Sequence, residues 1–298
     1  MTTSPLITIG VPVYNASAHL RSTLDSLLAQ TFTDFELVVS DNASTDSTQD
    51  IVEEYRRKDR RIRYERHAVN IGANGNYAGL IGMARGALFK WSSASDWCAP
   101  TFLERCKSVL LAHEDTVLVA PRTRLFEDST AEYRDYEWDL EVLDETPSER
   151  LKRVASDLAL NNAMNGLIRT AALRSAGAMG PYIGADVVLM GELALRGKFR
   201  LVEERLFYRR MDVATATAMQ ARSAVWTHHY PTRSARSLFQ GAKRHLGWAK
   251  GVVRAPIPLS ERTRAMLHVA RRCYWDKGAF WRDLRGAWQY LIMRTWPD

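Results

Sequence analysis

Several polar clusters in this 298-residue chain combine groups that can do chemistry. Asp41 directly follows the apolar run Phe35 to Ser40 and opens the segment Asp41-Asn-Ala-Ser-Thr-Asp46. A carboxylate just past a strand end can accept hydrogen bonds from a nucleobase N–H or a ribose hydroxyl. In Pro12-Val-Tyr-Asn15, Tyr14 offers a ring that can stack on a base, and Pro12 stiffens the turn beneath it. The plainer role of Asp41, Ser44 and Asp46 is to form a turn and cap the next helix. Asn70, Gly72, Asn74 and Asn76 make a polar loop ahead of a helix, where free backbone N–H groups suit an anion. An ordinary Asn/Gly turn has the same composition. Trp91-Ser-Ser-Ala-Ser-Asp96 supplies hydroxyls and one carboxylate. Further on, Lys90, Arg209 and Arg210 are cations able to neutralise a diphosphate, and Asp212 is either a metal ligand or a surface turn residue.

The elements that must hold these groups alternate between strand and helix patterns. Ile7 to Val13, Phe35 to Ser40, Arg61 to Arg66, Ala87 to Trp91 and Thr116 to Ala120 read as strands. Between them, Leu20, Leu24, Leu27 and Leu28 recur at helical spacing, with Asn15 or Ser17 available as the N-cap. Ser44 or Thr45 can cap a helix carrying Ile51, Val52 and Tyr55, and Asn74 to Ala84 is helical up to Gly86. Pro100 opens another helix. Repeated β-α-β units imply a doubly wound, mostly parallel, Rossmann-like α/β sheet, which binds ligands at the carboxyl ends of its strands. The polar clusters follow strands one, two and four. Arg122 to Arg150 is acidic and aromatic without clear period, either a substrate-shaping insertion or an irregular β region.

Apolar residues make up 46% and charged residues 25%, so the chain can bury a core without disulfides. Cys98, Cys106 and Cys273 are odd in number and lack C-x-x-C spacing, which fits a reducing cytoplasm and argues against a zinc site. Neither a signal peptide nor a stretch long enough to span a membrane is apparent, so the expected location is cytoplasmic, with peripheral contact at the inner face of the membrane as an option. From Val213 onward 15 Lys/Arg face 4 Asp/Glu, whereas the remainder carries 26 against 30. A mildly acidic first unit, residues 1–212, therefore precedes a basic helical region, residues 213–298. Met266, Val269, Ala270, Cys273 and Tyr274 make one apolar stripe there, and Trp281, Leu284, Trp288, Leu291 and Ile292 another. Such stripes either pack as core, on this chain or a second subunit, or lie on an anionic membrane. No motif supports binding to nucleic acid.

Taken in order, Pro12-Val-Tyr-Asn15, Gln30-Thr-Phe-Thr-Asp-Phe-Glu-Leu37, Asp41-Asn-Ala-Ser-Thr-Asp46, Asn70-Ile-Gly72, Ala84-Arg-Gly86, Trp97-x-x-Pro100, Gly184-Ala-Asp-Val-Val-Leu-Met-Gly-Glu192 and Phe207-Tyr-Arg-Arg210 closely resemble family 2 glycosyltransferases. These are inverting enzymes of the GT-A fold, and the likeness spans roughly residues 6 to 212. The resemblance implies transfer of a hexosyl or deoxyhexosyl unit from a nucleoside-diphosphate sugar to a hydroxyl acceptor on a glycan, a lipid carrier or a natural product. It places Pro12, Tyr14, Asn15, Asp41, Asn70, Gly72, Asp96, Arg209 and Arg210 on the donor side. Asn162, Asn165 and Glu192 fall on the acceptor side, with Asn161 and Met164 nearby. Asp186 matches the catalytic base, and its capping position at a helix start is compatible with that role.

One departure bears on cofactors. The family carries an Asp-x-Asp motif holding Mg²⁺ or Mn²⁺ where this chain has Ser93 and Ser95, so only Asp96 remains to ligate a metal. A histidine that many relatives use to complete the metal shell is also missing, with Asp212 nearby as a substitute. Three outcomes stay open: a metal held by Asp96 with phosphate oxygens and water, cationic side chains in place of metal, or a non-catalytic protein that keeps the fold and the nucleotide-sugar pocket.

Overall fold

The computed structural model describes residues 4–128, 130–177, 179–212 and 238–293. Its centre is a nine-stranded mixed sheet in the order β3-β2-β1-β4-β8-β6-β9-β5, with β7 on β6. The first half is the doubly wound part. β1 (Ile7–Val13), β2 (Phe35–Asp41), β3 (Ile62–Arg66) and β4 (Leu88–Trp91) pair in parallel, joined by α1 (Leu20–Leu28), α2 (Thr48–Lys58) and α3 (Ala73–Met83). β1 and β2 are buried along their whole length, which is why they read as continuous apolar runs. Leu20, Leu24 and Leu27 of α1 are fully buried against this sheet, each contributing about 1.5–3 kcal/mol. Gly86 permits the turn before β4 to approach β1: a Cβ there would lie 2.6 Å from the Thr8 amide nitrogen.

The second half departs from parallel winding. After β5 (Trp97–Cys98) and α4 (Phe102–Ala112), β6 runs from Thr116 to Glu127, well past the expected end at Ala120. It turns into the antiparallel β7 (Glu132–Asp135), so the first part of the aperiodic Arg122 to Arg150 segment is β structure. Next come α5 (Pro147–Asp157), a single 3-10 turn (Asn162–Asn165), β8 (Leu167–Arg169), α6 (Thr170–Ser175), α7 (Ala185–Ala194) and β9 (Lys198–Arg210). β8 joins β4 and β6 antiparallel, whereas β9 lies parallel to β6. β5 and β8 are too short to carry a period in sequence.

The expected helix caps shift by a few residues. His19, not Asn15 or Ser17, stands at the N-cap of α1, and Ser47 stands at that of α2. Asn15 and Ser44 are drawn instead into bonds between the β1 and β2 turns.

Three helices follow residue 237: α8 (Gln240–Arg254), α9 (Leu259–Trp275) and α10 (Lys277–Met293). Trp248 and Val252 of α8 and Ala265 and Val269 of α9 share a core with Leu151 of α5 and Val188 of α7. β9 ends at Arg210, and the helices described beyond residue 237 bury apolar faces on α5 and α7. The two expected stripes divide. Met266 and Val269 meet this core, but Cys273, Tyr274, Trp281 and Trp288 face outward. Leu291 and Ile292 have side chains outside the described set, as do residues 213–237. No described helix is long and apolar enough to cross a membrane.

Candidate active site

The turns after β1 and β2 are tied into one wall. Val13 pairs with Asp41 in register, so the two turns emerge side by side. The Asn15 amide donates to Ser44 Oγ at 3.0 Å, while its side-chain oxygen accepts from the Thr45 amide at 2.8 Å. Asn15 has φ 49°, in the left-handed region that asparagine tolerates. Asp46 accepts from the Ser17 amide, the Thr48 amide and the Thr48 hydroxyl at 3.1, 3.0 and 2.6 Å. Burial raises the Asp46 carboxyl, but these bonds to its ionised form outweigh that and bring it to about 2.

Asp41 is 0% exposed. One oxygen accepts from the Ser44 amide at 2.8 Å; the other takes the Tyr64 hydroxyl at 2.6 Å and lies 3.3 Å from Arg66 Nε. Ser44, Tyr64 and Arg66 thus hold the buried carboxylate in place between the turns that follow the strands. Tyr14, 48% exposed, presents its ring at the same wall, and Pro12 is buried within β1 opposite Ser40. Asn70 accepts from Asn42 Nδ2 and from the Gly72 amide, both at 2.8 Å, and so shapes the loop that leads into α3. Gly72 is the N-cap of α3 with φ 80°, a backbone conformation that glycine adopts without strain. Asn76, buried one turn on, bonds the Ser40 hydroxyl and carbonyl.

The strand alternation of β9 separates Arg209 from Arg210. Arg209 Nη1 donates to Asn162 Oδ1 at 2.6 Å, and Asn162 in turn donates to Asp139 at 2.9 Å. Arg210 points to the other face and is only 5% exposed. Its guanidinium sits over the Phe126 ring at 4.6 Å, donates to Ser95 O at 3.0 Å and to Asp212 at 3.1 Å, and pairs with Asp128. In this arrangement the Arg210 guanidinium is engaged by two carboxylates on the buried face of β9. Lys90 is likewise occupied: its fully buried ammonium donates to the carbonyls of Trp91 and Asn165 at 3.0 and 2.7 Å. Arg209 lies on the opposite face of β9 from Arg210, bonded to Asn162.

Asp186 stands in the first turn of α7, just after Gly184, whose φ of 83° permits the sharp entry. Asn161 Nδ2 donates to Asp186 Oδ2 at 2.9 Å, and Asn161 Oδ1 is buried with no partner among the described residues. Tyr77, on α3, reports what surrounds the cleft. Burial pushes its hydroxyl pKa up, Asp96 and Asp186 push it further, and Arg209 counters them. One tyrosine from α3 thus lies within electrostatic reach of the two carboxylates and the arginine. Asn165 contributes its backbone carbonyl to Lys90. Glu192 is 3% exposed and bonds Arg254 Nη2 at 2.7 Å and the Gly177 amide at 2.6 Å. Its carboxylate fastens α8 to α7 and to the loop at Gly177.

Two donor sets bear on a divalent cation. Asp96 is buried, its Oδ1 accepts the Arg210 amide at 2.9 Å, and burial raises its carboxyl above the usual range. Ser93 and Ser95 bond each other at 3.1 Å, and the Ser92 hydroxyl has no partner among the described residues. One carboxylate with neutral hydroxyls is a poor protein cage for Mg²⁺ or Mn²⁺, which favour anionic oxygen. Separately, His19, Asp128 and Asp212 present ligand atoms within 4.8 Å of one another, a spacing that could hold a metal ion. There the Arg210 guanidinium already bonds both carboxylates. Asp212 groups with His19 and Asp128, on the face of β9 that Arg210 occupies, so the structure does not gather it with Asp96 into one ligand set. His19, Asp128 and Asp212 are thus a candidate metal site whose two carboxylates pair with Arg210, whereas the Asp96 set offers one carboxylate.

Sequence reasoning missed Tyr64, Tyr77, His19 and Asp128, all brought in by contacts between distant segments. It also missed Trp97, whose ring stacks on Tyr208 at 3.5 Å and joins β5 to β9 beside Asp96.

The family described as glycosyl transferase family 2 has a model that matches residues 8–179, more than half of the chain, and the chain belongs to that family. Over 114 residues, 38% of this chain and 16% of the relative, it is 32% identical to glycosyltransferase GlyA of Streptococcus pneumoniae. Over 103 residues, 34% of this chain and 15% of the relative, it is 32% identical to chondroitin synthase of Escherichia coli. The matched stretch spans less than a third of either relative's length. Among solved structures, S. aureus TarS in complex with UDP-GlcNAc aligns with a TM-score of 0.65 at 16% identity, covering 90% of this chain and 72% of that one. Mannosyltransferase PcManGT of Pyrobaculum calidifontis, in complex with GDP-Man and Mn²⁺, aligns with a TM-score of 0.55 at 16% identity, covering 93% and 89%. These likenesses establish the fold as that of GT-A glycosyltransferases, with a helical region after it.

Proposed function

We propose that the protein is an inverting glycosyltransferase that moves a sugar from a nucleoside diphosphate to a hydroxyl acceptor. The observation that carries this reading is that the adjacent residues Asn161 and Asn162 bond Asp186 and Arg209 respectively, while the Arg210 amide, next along β9, bonds Asp96. In the proposal Tyr14 stacks on the base, and Asp41 orders the wall behind it through Ser44, Tyr64 and Arg66. The amides at the start of α3 and the Arg209 guanidinium face the diphosphate. Asn162 holds Arg209 in place. Asp186 takes the proton from the acceptor hydroxyl as that oxygen bonds to the anomeric carbon, and the nucleoside diphosphate leaves with the electrons of the broken C–O bond. A single displacement of this kind inverts the anomeric centre. The thin carboxylate supply at Ser93, Ser95 and Asp96 makes donor binding only weakly dependent on divalent metal.

The Ser93–Ser95 pair also motivates a second reading, a binding protein that keeps the nucleotide-sugar pocket without turnover. Calorimetry with UDP, GDP and dTDP, with and without Mn²⁺, followed by donor turnover across a sugar panel, separates the two. Binding with transfer supports the enzyme; binding with neither hydrolysis nor transfer supports the second reading. Failure to bind any of the three nucleotides would remove both.

A further inference from the structure

We infer that the exposed face of α10 is a docking surface for an anionic phospholipid bilayer. Lys277, Trp281, Leu284, Arg285 and Trp288 fall on one side of this helix by their spacing. Trp281 is 61% exposed, Leu284 36% and Trp288 67%. The opposite side is the one that packs: Ala287 is buried, and Asp283 accepts the Ala242 amide at 3.1 Å, which ties α10 to α8. The apolar stripe therefore faces away from the core of its own chain. Large aromatic area left in water this way marks an interaction surface.

Charge selects the occupant. Lys277, Arg282 and Arg285 are exposed, whereas the acids of α9 and α10 are turned inward. Glu261 is buried and accepts the Ser148 amide at 3.0 Å, and Asp276 is half-buried against Arg244 and Arg272. No carboxylate of these two helices is fully exposed among the described residues. Tryptophan and leucine flanked by lysine and arginine are what a helix lying in an anionic interface requires, the rings at headgroup depth and the cations on the phosphates. A second copy is disfavoured, because a two-fold pairing of this face would set Lys277 and Arg285 against the same cations. Between α5 and α9 lies a cleft of about 170 Å³ lined by Leu151, Val269 and Trp275 together with Lys152, Arg271 and Arg272. It repeats the same pairing of apolar wall and cation. Since α8 packs on α7, the docked face would hold the helix bearing Asp186 at a set position over the bilayer.

The test is flotation of the full chain with vesicles of phosphatidylcholine alone, or with about one third phosphatidylglycerol, at low and high salt. Binding to the anionic vesicles, lost on the neutral ones and weakened by salt, is expected. The K277E/R285E variant should lower partitioning at least about 25-fold, roughly fivefold for each cation removed. The W281A/W288A variant should lower it while leaving thermal unfolding unchanged, since both rings are exposed. Iodide should quench tryptophan fluorescence of the unaltered chain less when anionic vesicles are present. Equal binding to both vesicle types, no binding to either, or full binding by both variants would overturn the inference. So would a dimer in sedimentation that W281A/W288A converts to monomer.

Discussion

Replacing Asp186 by asparagine keeps the size and shape of the side chain and removes only its ability to take a proton. Loss of a positioned general base costs about 10²–10⁴ in rate, which is about 3–5 kcal/mol on the barrier. The structural cost is much smaller. Asp186 lies in the first turn of α7, so removing its charge from the helix N-terminus costs about 0.3–1 kcal/mol. Its bond from Asn161 can be kept, because Asn161 Oδ1 is buried without a partner and can accept from the new amide if the Asn161 side chain flips. Asp186→Asn should therefore lower kcat at least about 100-fold and leave nucleotide affinity within about threefold, about 0.6 kcal/mol. Nucleotide release with and without acceptor, calorimetric binding and denaturant unfolding, done on one preparation, read all three quantities. Full turnover by Asp186→Asn would refute the assignment. A fall in turnover matched by equal losses of binding and stability would show instead that Asp186 merely supports the helix.

Glu192→Ala leaves the Gly177 amide without its acceptor and frees Arg254, which is half exposed and can rehydrate; unfolding in urea should show a loss of about 2 kcal/mol. Lys90→Met should leave nucleotide affinity within about threefold, about 0.6 kcal/mol, because the buried ammonium donates to the carbonyls of Trp91 and Asn165 and lies over the Phe102 ring; a larger loss in calorimetry would return Lys90 to the diphosphate. Asp46→Ala should cost about 1 kcal/mol at neutral pH. The Asp46 carboxyl is held at about 2, below its ordinary 3.8, so its contribution is present above 3.8 and lost as pH falls toward 2. Thermal unfolding of the two proteins should therefore converge over that interval, and a gap that persists at pH 2 would contradict the hydrogen-bond account.

The parallel half of the fold was legible because its strands are buried on both faces and its helices are amphipathic. Those two periods survive in a single sequence at Ile7 to Val13 and at Leu20, Leu24 and Leu27. β5 and β8, two and three residues long, left no trace, since their existence depends on partners elsewhere in the chain. Donor-side residues were legible as a group, yet their individual duties were not. Asp41 and Lys90 have the right chemistry for ligand contact, but both are buried and bonded to tertiary neighbours.

What the sequence determined by itself is the family, the alternating units that carry it and the residues at the strand ends. Those follow from local order, residue type and hydrophobic period. Which of those residues reach the cleft was decided only in three dimensions. Arg209 and Arg210 are adjacent and chemically identical, but the two-residue period of β9 sends one toward Asn162 and the cleft. It sends the other among Asp128, Asp212 and Phe126. The α10 stripe divides in the same way: helical spacing groups Trp281, Leu284 and Trp288, but only the packing of Ala287 and Asp283 against α8 turns that stripe outward.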